Sequence, residues 1–187
     1  MSDRMEGSAT EGARTDSAVL VTRTVLPKLP LFYNCLQQIF DSGWLTNNGQ
    51  YVRQLETDLS AYLGCSYVTV CNNGTTALML ALHCAGLRGK KVAVTAFTYV
   101  ATLSALCWIG CTPIFVDVDP KNFCMSPEKL AQAFIEHPDI AGVLPVHIYG
   151  LSCDDAALRE VCRKYDAVLI YDASHAFGSV YQGRSLL

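Results

Sequence analysis

Four groups of residues in this chain have the types and spacing to act together on one ligand. The first is Ala167-Val168-Leu169-Ile170-Tyr171-Asp172-Ala173-Ser174-His175, which predicts a short buried strand delivering a carboxylate and then an imidazole to its C-terminal end. Ligands bind at that end in open α/β sheets. A buried acid there is costly unless something cationic faces it. The second is Cys71-Asn72-Asn73-Gly74-Thr75-Thr76-Ala77, where a strand becomes a helix. Gly74 permits a tight turn, and the N–H groups that follow, with the Thr75 and Thr76 hydroxyls, make a phosphate cradle. The same residues also suit a plain strand-to-helix turn with Asn or Thr as its cap.

The third group, Thr95-Ala96-Phe97-Thr98-Tyr99-Val100-Ala101-Thr102, offers the ring face of Tyr99, and less directly that of Phe97, to a planar ligand. Ordinary core aromatics would look the same. The fourth, Pro145-Val146-His147-Ile148-Tyr149-Gly150, places an imidazole at another strand end, where a hydrogen-bonded structural histidine is the plainer reading. All four fall at C-terminal strand ends of one sheet, and together they suit a ligand with a phosphate, a flat ring and a basic ring nitrogen. Pyridoxal phosphate has all three. An Asp beside its pyridine nitrogen keeps that nitrogen protonated, so the ring withdraws electrons from a carbanion at the substrate carbon. Neither a dinucleotide fingerprint nor a Walker motif is present, which argues against nicotinamide or ATP.

The elements that must position these groups are legible from periodicity. A helix is predicted over 31–41 with Pro30 in its first turn, then a loop rich in turn formers from Gly43 to Gly49, and a helix over 50–63 stopped by Gly64. Strands are then predicted over 67–71, 92–95, 113–118, 140–146 and 167–171, alternating with helices over 75–85, 99–109, 127–137 and 154–165. Ser126 caps the third of these helices, with Pro127 at its first position and Leu130, Ala133, Phe134 and His137 on one face. Residues 178–186 suggest an edge hairpin turning at Gln182-Gly183. Strands alternating with amphipathic helices predict an α/β fold, a mostly parallel sheet covered by helices on both faces.

Composition narrows the function classes. A net charge of −3 with no basic run excludes a nucleic-acid or membrane-surface footprint. The stretch from Val92 to Val116 carries no charge and is long enough to span a bilayer, but its Thr, Gly and Pro content divides it into strand, helix and strand. The nine cysteines show no metal-ligand spacing and read as free thiols of a reducing cytoplasm, with Cys107 and Cys111 as small core residues. Residues 1–20, rich in Ser, Gly, Thr and Glu, read as a disordered tail rather than a signal peptide.

From Gly43 to Gly183 the chain resembles the DegT/StrS-type sugar-nucleotide aminotransferases, fold-type I pyridoxal-phosphate enzymes. The resemblance is carried by Gly43-Trp44-Leu45-Thr46, Asn73-Gly74-Thr75-Thr76-Ala77-Leu78, Thr98-Tyr99-Val100-Ala101-Thr102, Val116-Asp117-Val118-Asp119, Pro145-Val146-His147-Ile148-Tyr149-Gly150 and Asp172-Ala173-Ser174-His175-Ala176-Phe177-Gly178. It implies that Asn73, Gly74 and Thr75 hold the cofactor phosphate, that Tyr99 stacks on the pyridine ring, and that Asp172 pairs with the ring nitrogen. His175 would stand near the ring hydroxyl. Trp44, Leu45, Thr46 and His147 would lie near the substrate.

The resemblance further implies a cytoplasmic homodimer of nucleotide-sugar and polysaccharide biosynthesis. It would move an amino group from a donor such as glutamate to a keto-sugar nucleotide. The family's Schiff-base lysine follows the Asp motif at some distance, and none of Lys28, Lys90, Lys91, Lys121, Lys129 and Lys164 matches it. Residues 21–187 are therefore expected to be an incomplete large domain, lacking the lysine and the small C-terminal domain, and inactive alone. Two other readings stand beside this one: a sugar dehydratase of the same family with His in place of the lysine, and a non-catalytic truncated remnant.

Overall fold

The computed structural model describes residues 24–187, which fall into two compact units divided after Asn47. The tail expected over 1–20 lies outside the described residues. The first unit contains helix α1 (Leu29–Ser42), with Pro30 in its first turn as predicted. It ends because Gly43 turns into the left-handed region at φ 65°, where a side chain would be strained. Beyond it the Trp44 indole N–H donates to the carbonyls of Thr46 and Asn47, closing the loop on itself.

The second unit opens with α2 (Gln50–Leu63), which has the predicted bounds and the predicted Gly64 stop, at φ 68°. There follow α3 (Gly74–Cys84), β1 (Lys91–Val94), α4 (Val100–Trp108), β2 (Thr112–Phe115), α5 (Pro127–Glu136), β3 (Ile140–Leu144), α6 (Asp155–Lys164) and β4 (Val168–Leu169). A hairpin of β5 (Val180–Tyr181) and β6 (Arg184–Ser185) closes the order. It turns at Gln182 and Gly183 as predicted, and both carry the positive φ that a tight hairpin turn demands.

The sheet is parallel throughout, in the order β2-β1-β3-β4. The two-residue period of its strands builds two cores. Ala93 and Val143 point to one face, against Leu130 and Phe134 of α5 and Leu158 and Cys162 of α6. Val92, Val94 and Leu144 point to the other, against Leu78 and Leu82 of α3 and Ala105 and Leu106 of α4. Helices thus cover both faces, as the alternating pattern predicts. The Ser126 cap is also as predicted, its hydroxyl accepting from the Lys129 N–H. The uncharged stretch from Val92 to Val116 spans β1, α4 and β2, and no helix among the described residues is long and apolar enough to cross a membrane.

Three expectations are corrected. Residues 67–71 form no strand: a strand needs a neighbouring backbone, and here the Val70 N–H is taken instead by the Glu56 carboxylate at 3.0 Å. The strand expected over 167–171 pairs as a ladder only at Val168–Leu169, then resumes as a single parallel bridge between Asp172 and Val146. It lies at the sheet edge, so Val168 is 39% exposed rather than buried. Of the two cysteines flanking Gly110, Cys111 is buried and donates to the Leu87 carbonyl, whereas Cys107 is exposed.

His147 is buried beside the β3–β4 junction, 3% exposed. Its Nδ1 accepts the Cys153 N–H at 3.1 Å, and its ring lies on that of Tyr171 with centroids 4.6 Å apart. The Tyr171 hydroxyl donates to Asp155 at 2.7 Å, and Arg159 Nε meets both Asp155 oxygens at 2.8 Å. Burial works against an ionised Asp155, but the Arg159 and Tyr171 hydrogen bonds outweigh it and hold that carboxyl below its ordinary range. Burial likewise pushes the His147 imidazole below its ordinary value.

Two outcomes follow from this packing. A Cβ at Gly142 would come within 2.7 Å of Leu87 Cδ1, so Gly142→Ala overpacks the α3/α4 core and is expected to cost about 1–3 kcal/mol in urea unfolding. Leu87→Ala frees that space, so the double variant should cost less than the sum of the singles, and strict additivity would contradict the contact. For His147, the unfolded chain takes up a proton near pH 6.5, about its free value, before the folded chain does. Stability is therefore full above about pH 6.5 and falls as the pH drops below it. Unfolding midpoints measured from about pH 7 down to about pH 5 should decline, and less so in His147→Asn; equal profiles would contradict a buried neutral imidazole.

Candidate cofactor site

The order of the strands creates the site. The chain leaves β1 into α4 on one face of the sheet and leaves β3 into α6 on the other, and β1 and β3 are neighbours. A crevice must open beyond their carboxyl ends, and open α/β sheets bind ligands there. A cleft of about 230 Å³ occupies that place. Its walls come from the start of α3, the β1–α4 connection, the end of β3 and the turn after β4.

Asp172 forms its floor. It is 5% exposed, and its backbone is held on both sides, its N–H donating to the Pro145 carbonyl and its own carbonyl accepting from the His147 N–H. Each carboxylate oxygen has a fixed partner. Oδ1 accepts the Ser174 N–H at 3.1 Å and the Ser174 hydroxyl at 2.6 Å, and Oδ2 accepts the Thr102 hydroxyl at 2.7 Å. A carboxylate only accepts, so Thr102 must spend its single proton on Asp172. The Thr98–Thr102 contact of 2.8 Å therefore runs from Thr98 to Thr102. The polar side chains of the β1–α4 connection are thus aligned toward the acid, and the acid keeps lone pairs for a ligand donor.

At the opposite wall Asn73 caps α3, its side chain accepting the Thr76 N–H at 2.9 Å. That leaves the Gly74 and Thr75 N–H groups without a partner among the described residues, at a helix N-terminus on the cleft wall. Gly74 lies beside Ser174, where an added Cβ would sit 3.5 Å from the hydroxyl, so the helix start adjoins the turn that carries Asp172. Tyr99, at the N-cap of α4, is 70% exposed with its ring on the cleft. His175 stands on the same wall. Its ring is parallel to that of Tyr149 at 5.5 Å.

Gly74, Thr75, Tyr99, Asp172 and His175, singled out by sequence, are thus brought together, with Asn73 one step behind as the cap. His147 is not on this cleft; it lines a separate cavity with Asp155, Arg159 and Tyr171. Trp44, Leu45 and Thr46 belong to the first unit. Sequence reading missed Thr102 and Ser174 as partners of the acid, and Thr98 as the partner of Thr102. The signal was available: Thr98 and Thr102 flank the start of α4, where the chain leaves β1 at the cleft.

The donor set fits pyridoxal phosphate. The Gly74 and Thr75 N–H groups would meet an anion, the exposed Tyr99 ring offers a stacking face, and the buried Asp172 carboxylate an acceptor. No lysine lines the cleft among the described residues. Lys91 is tied to Asp139 at 2.9 Å at the start of β1, the far edge of the sheet.

Comparisons with known proteins agree with this construction. The model of the DegT/DnrJ/EryC1/StrS aminotransferase family matches residues 31–186. The dTDP-4-amino-4,6-dideoxy-D-glucose transaminase of Escherichia coli is 36% identical over 168 residues, 90% of this chain and 44% of that one. The GDP-perosamine synthase of Caulobacter vibrioides is 36% identical over 148 residues, 79% of this chain and 39% of that one. Among solved structures, DesI in the presence of its TDP-sugar product superposes with a TM-score of 0.80 at 35% identity, covering 84% of this chain and 40% of DesI. NtdA from Bacillus subtilis, with the cofactor PMP bound, superposes at 0.71 with 36% identity, over 75% of this chain and 32% of NtdA. The chain spans 32–44% of the length of these relatives. With residues 31–186 matched by the family model, the chain belongs to the DegT/DnrJ/EryC1/StrS aminotransferase family.

Proposed function

We propose that this chain is the cofactor-holding part of a pyridoxal-phosphate aminotransferase that delivers an amino group from an amino-acid donor, such as glutamate, to a keto-sugar nucleotide. The observation that carries the proposal is Asp172, a nearly buried carboxylate whose two oxygens are oriented by Thr102 and Ser174 on a cleft whose other wall is a helix N-terminus. When bound there, pyridoxal phosphate supplies a protonated ring that draws negative charge away from the substrate carbon. The chain's own residues do the positioning. Gly74 and Thr75 would hold the phosphate through backbone N–H groups, Tyr99 would cover one face of the ring, and His175 would meet its hydroxyl oxygen.

The essential electrostatic work falls to Asp172. Its charge, sheltered from water, would keep a proton on the ring nitrogen. Because Thr102 and Ser174 already fix the carboxylate, little reorganisation is needed when the ligand arrives. Amino transfer is favoured over dehydration because the E. coli relative is a transaminase by name. A sugar nucleotide is favoured because that name carries a dTDP-sugar and the DesI structure was solved with a TDP-sugar product. The reactive lysine would be supplied by residues outside those described here, in a cytoplasmic homodimer.

Pyridoxal-phosphate titration, followed by the cofactor's absorbance, tests the reading at this site. Asp172→Asn should weaken binding at least about tenfold, and Thr102→Val by a smaller factor of about three to ten. Unchanged affinity in Asp172→Asn would remove the ring-nitrogen role. In parallel, the full-length polypeptide containing this chain should convert a keto-sugar nucleotide and glutamate to an amino-sugar nucleotide detected by mass. Absence of transfer across a panel of keto-sugar nucleotides would contradict the activity.

A further inference from the structure

His175 is met by the turn that follows β3. The chain leaves β3 through a single 3-10 turn, Ile148–Gly150, inside which Tyr149 has the left-handed backbone φ 49°, ψ 24°. That conformation is strained for a bulky residue and persists only where the surroundings enforce it. Two features accompany it here. The Tyr149 ring, 74% exposed, lies parallel to His175 at 5.5 Å and near a right angle to Phe97 with centroids 6.4 Å apart. Gly150, at φ 82°, lets the backbone close in: a Cβ there would lie 2.7 Å from Ser179 Oγ and 3.2 Å from the His175 carbonyl. The result of this folding is one directed contact, the Tyr149 N–H donating to His175 Nδ1 at 3.3 Å.

An N–H can be accepted only by an unprotonated ring nitrogen. In neutral His175 the proton must then reside on Nε2, because one imidazole nitrogen donates and the other accepts. We propose that the Tyr149–Gly150 turn is a positioning device that fixes His175 as its Nε2–H tautomer and so commits it to donate a hydrogen bond to an oxygen of the ligand in the cleft, rather than to act as a base. The tautomer rests on geometry alone, and the identity of the accepting oxygen, the ring hydroxyl of the cofactor, rests on the function proposed above. Tyr149 and Gly150 are positioning residues, acting through His175.

The tautomer can be read directly by 15N NMR of the imidazoles in the unliganded chain at about pH 8, above the ordinary imidazole range. His83, exposed on α3 and with no ring partner among the described residues, serves as the internal reference imidazole. His175 should be more completely in the Nε2–H form than His83, and Gly150→Ala should move it toward the His83 mixture. A wild-type His175 indistinguishable from His83 would overturn the lock, whatever happens to Gly150→Ala.

The donor role is read by pyridoxal-phosphate affinity. Glutamine can accept the Tyr149 N–H through its oxygen and donate into the cleft through its amide, so His175→Gln should bind within about threefold of wild type. His175→Glu presents only acceptors and should weaken binding at least about tenfold. Equal losses in the two variants would overturn the donor role. Failure of the wild-type chain to bind the cofactor at all would overturn the cofactor reading and the identity of the acceptor, while the tautomer measurement would still decide the lock.

Discussion

The hydrogen bond from Thr102 to Asp172 joins two parts of the chain that are seventy residues apart, and the architecture of the site depends on it. Burying a carboxylate is unfavourable unless its lone pairs are met, and here each oxygen is met by a hydroxyl. One hydroxyl comes from the helix that follows β1 and the other from the turn that follows β4, so satisfying the acid also closes the crevice between them. The bridge between Val146 and Asp172 sets the depth at which this occurs. The phosphate end has its own anchor in the Asn73 cap of α3. The distance between acid and helix start is then set by the core beneath them, where Leu78 and Leu82 pack with Ala105 and Leu106.

The same sheet separates two histidines that look equivalent in sequence. Both follow strand ends, and both accept a backbone N–H at Nδ1, His147 from Cys153 and His175 from Tyr149. His147 turns to the α6 side, is covered by Tyr171, and joins the Asp155–Arg159 pair. His175 comes after the strand and stays on the cleft. The side of the sheet to which each turns, not residue type, decides which imidazole can meet a ligand.

Much of the frame was legible because it rests on local chemistry. Pro30, Ser126-Pro127, Gly64 and Gln182-Gly183 each satisfy a backbone requirement within a few residues, and the elements they bound are present. The apolar face of α5 reads correctly because Leu130, Ala133 and Phe134 recur at helical spacing and meet a core. What was not legible depended on partners. Residues 67–71 have strand composition but no neighbouring backbone, and local residues cannot supply one. Strand ends were read too long because a buried apolar run continues past the last paired residue. The cofactor residues were found from glycine, aromatic and acid types at strand ends. The threonines that orient the acid were missed because a hydroxyl has no pattern until its partner is placed.

The central claim is that Asp172 meets a ring nitrogen and keeps it protonated. The most direct measurement is the 15N chemical shift of pyridoxal phosphate labelled at the ring nitrogen, recorded bound to this chain near neutral pH. The account predicts the shift of a protonated pyridinium nitrogen, persisting as the pH is raised through the range in which the free cofactor loses that proton. A bound cofactor with the shift of a neutral pyridine nitrogen would contradict it.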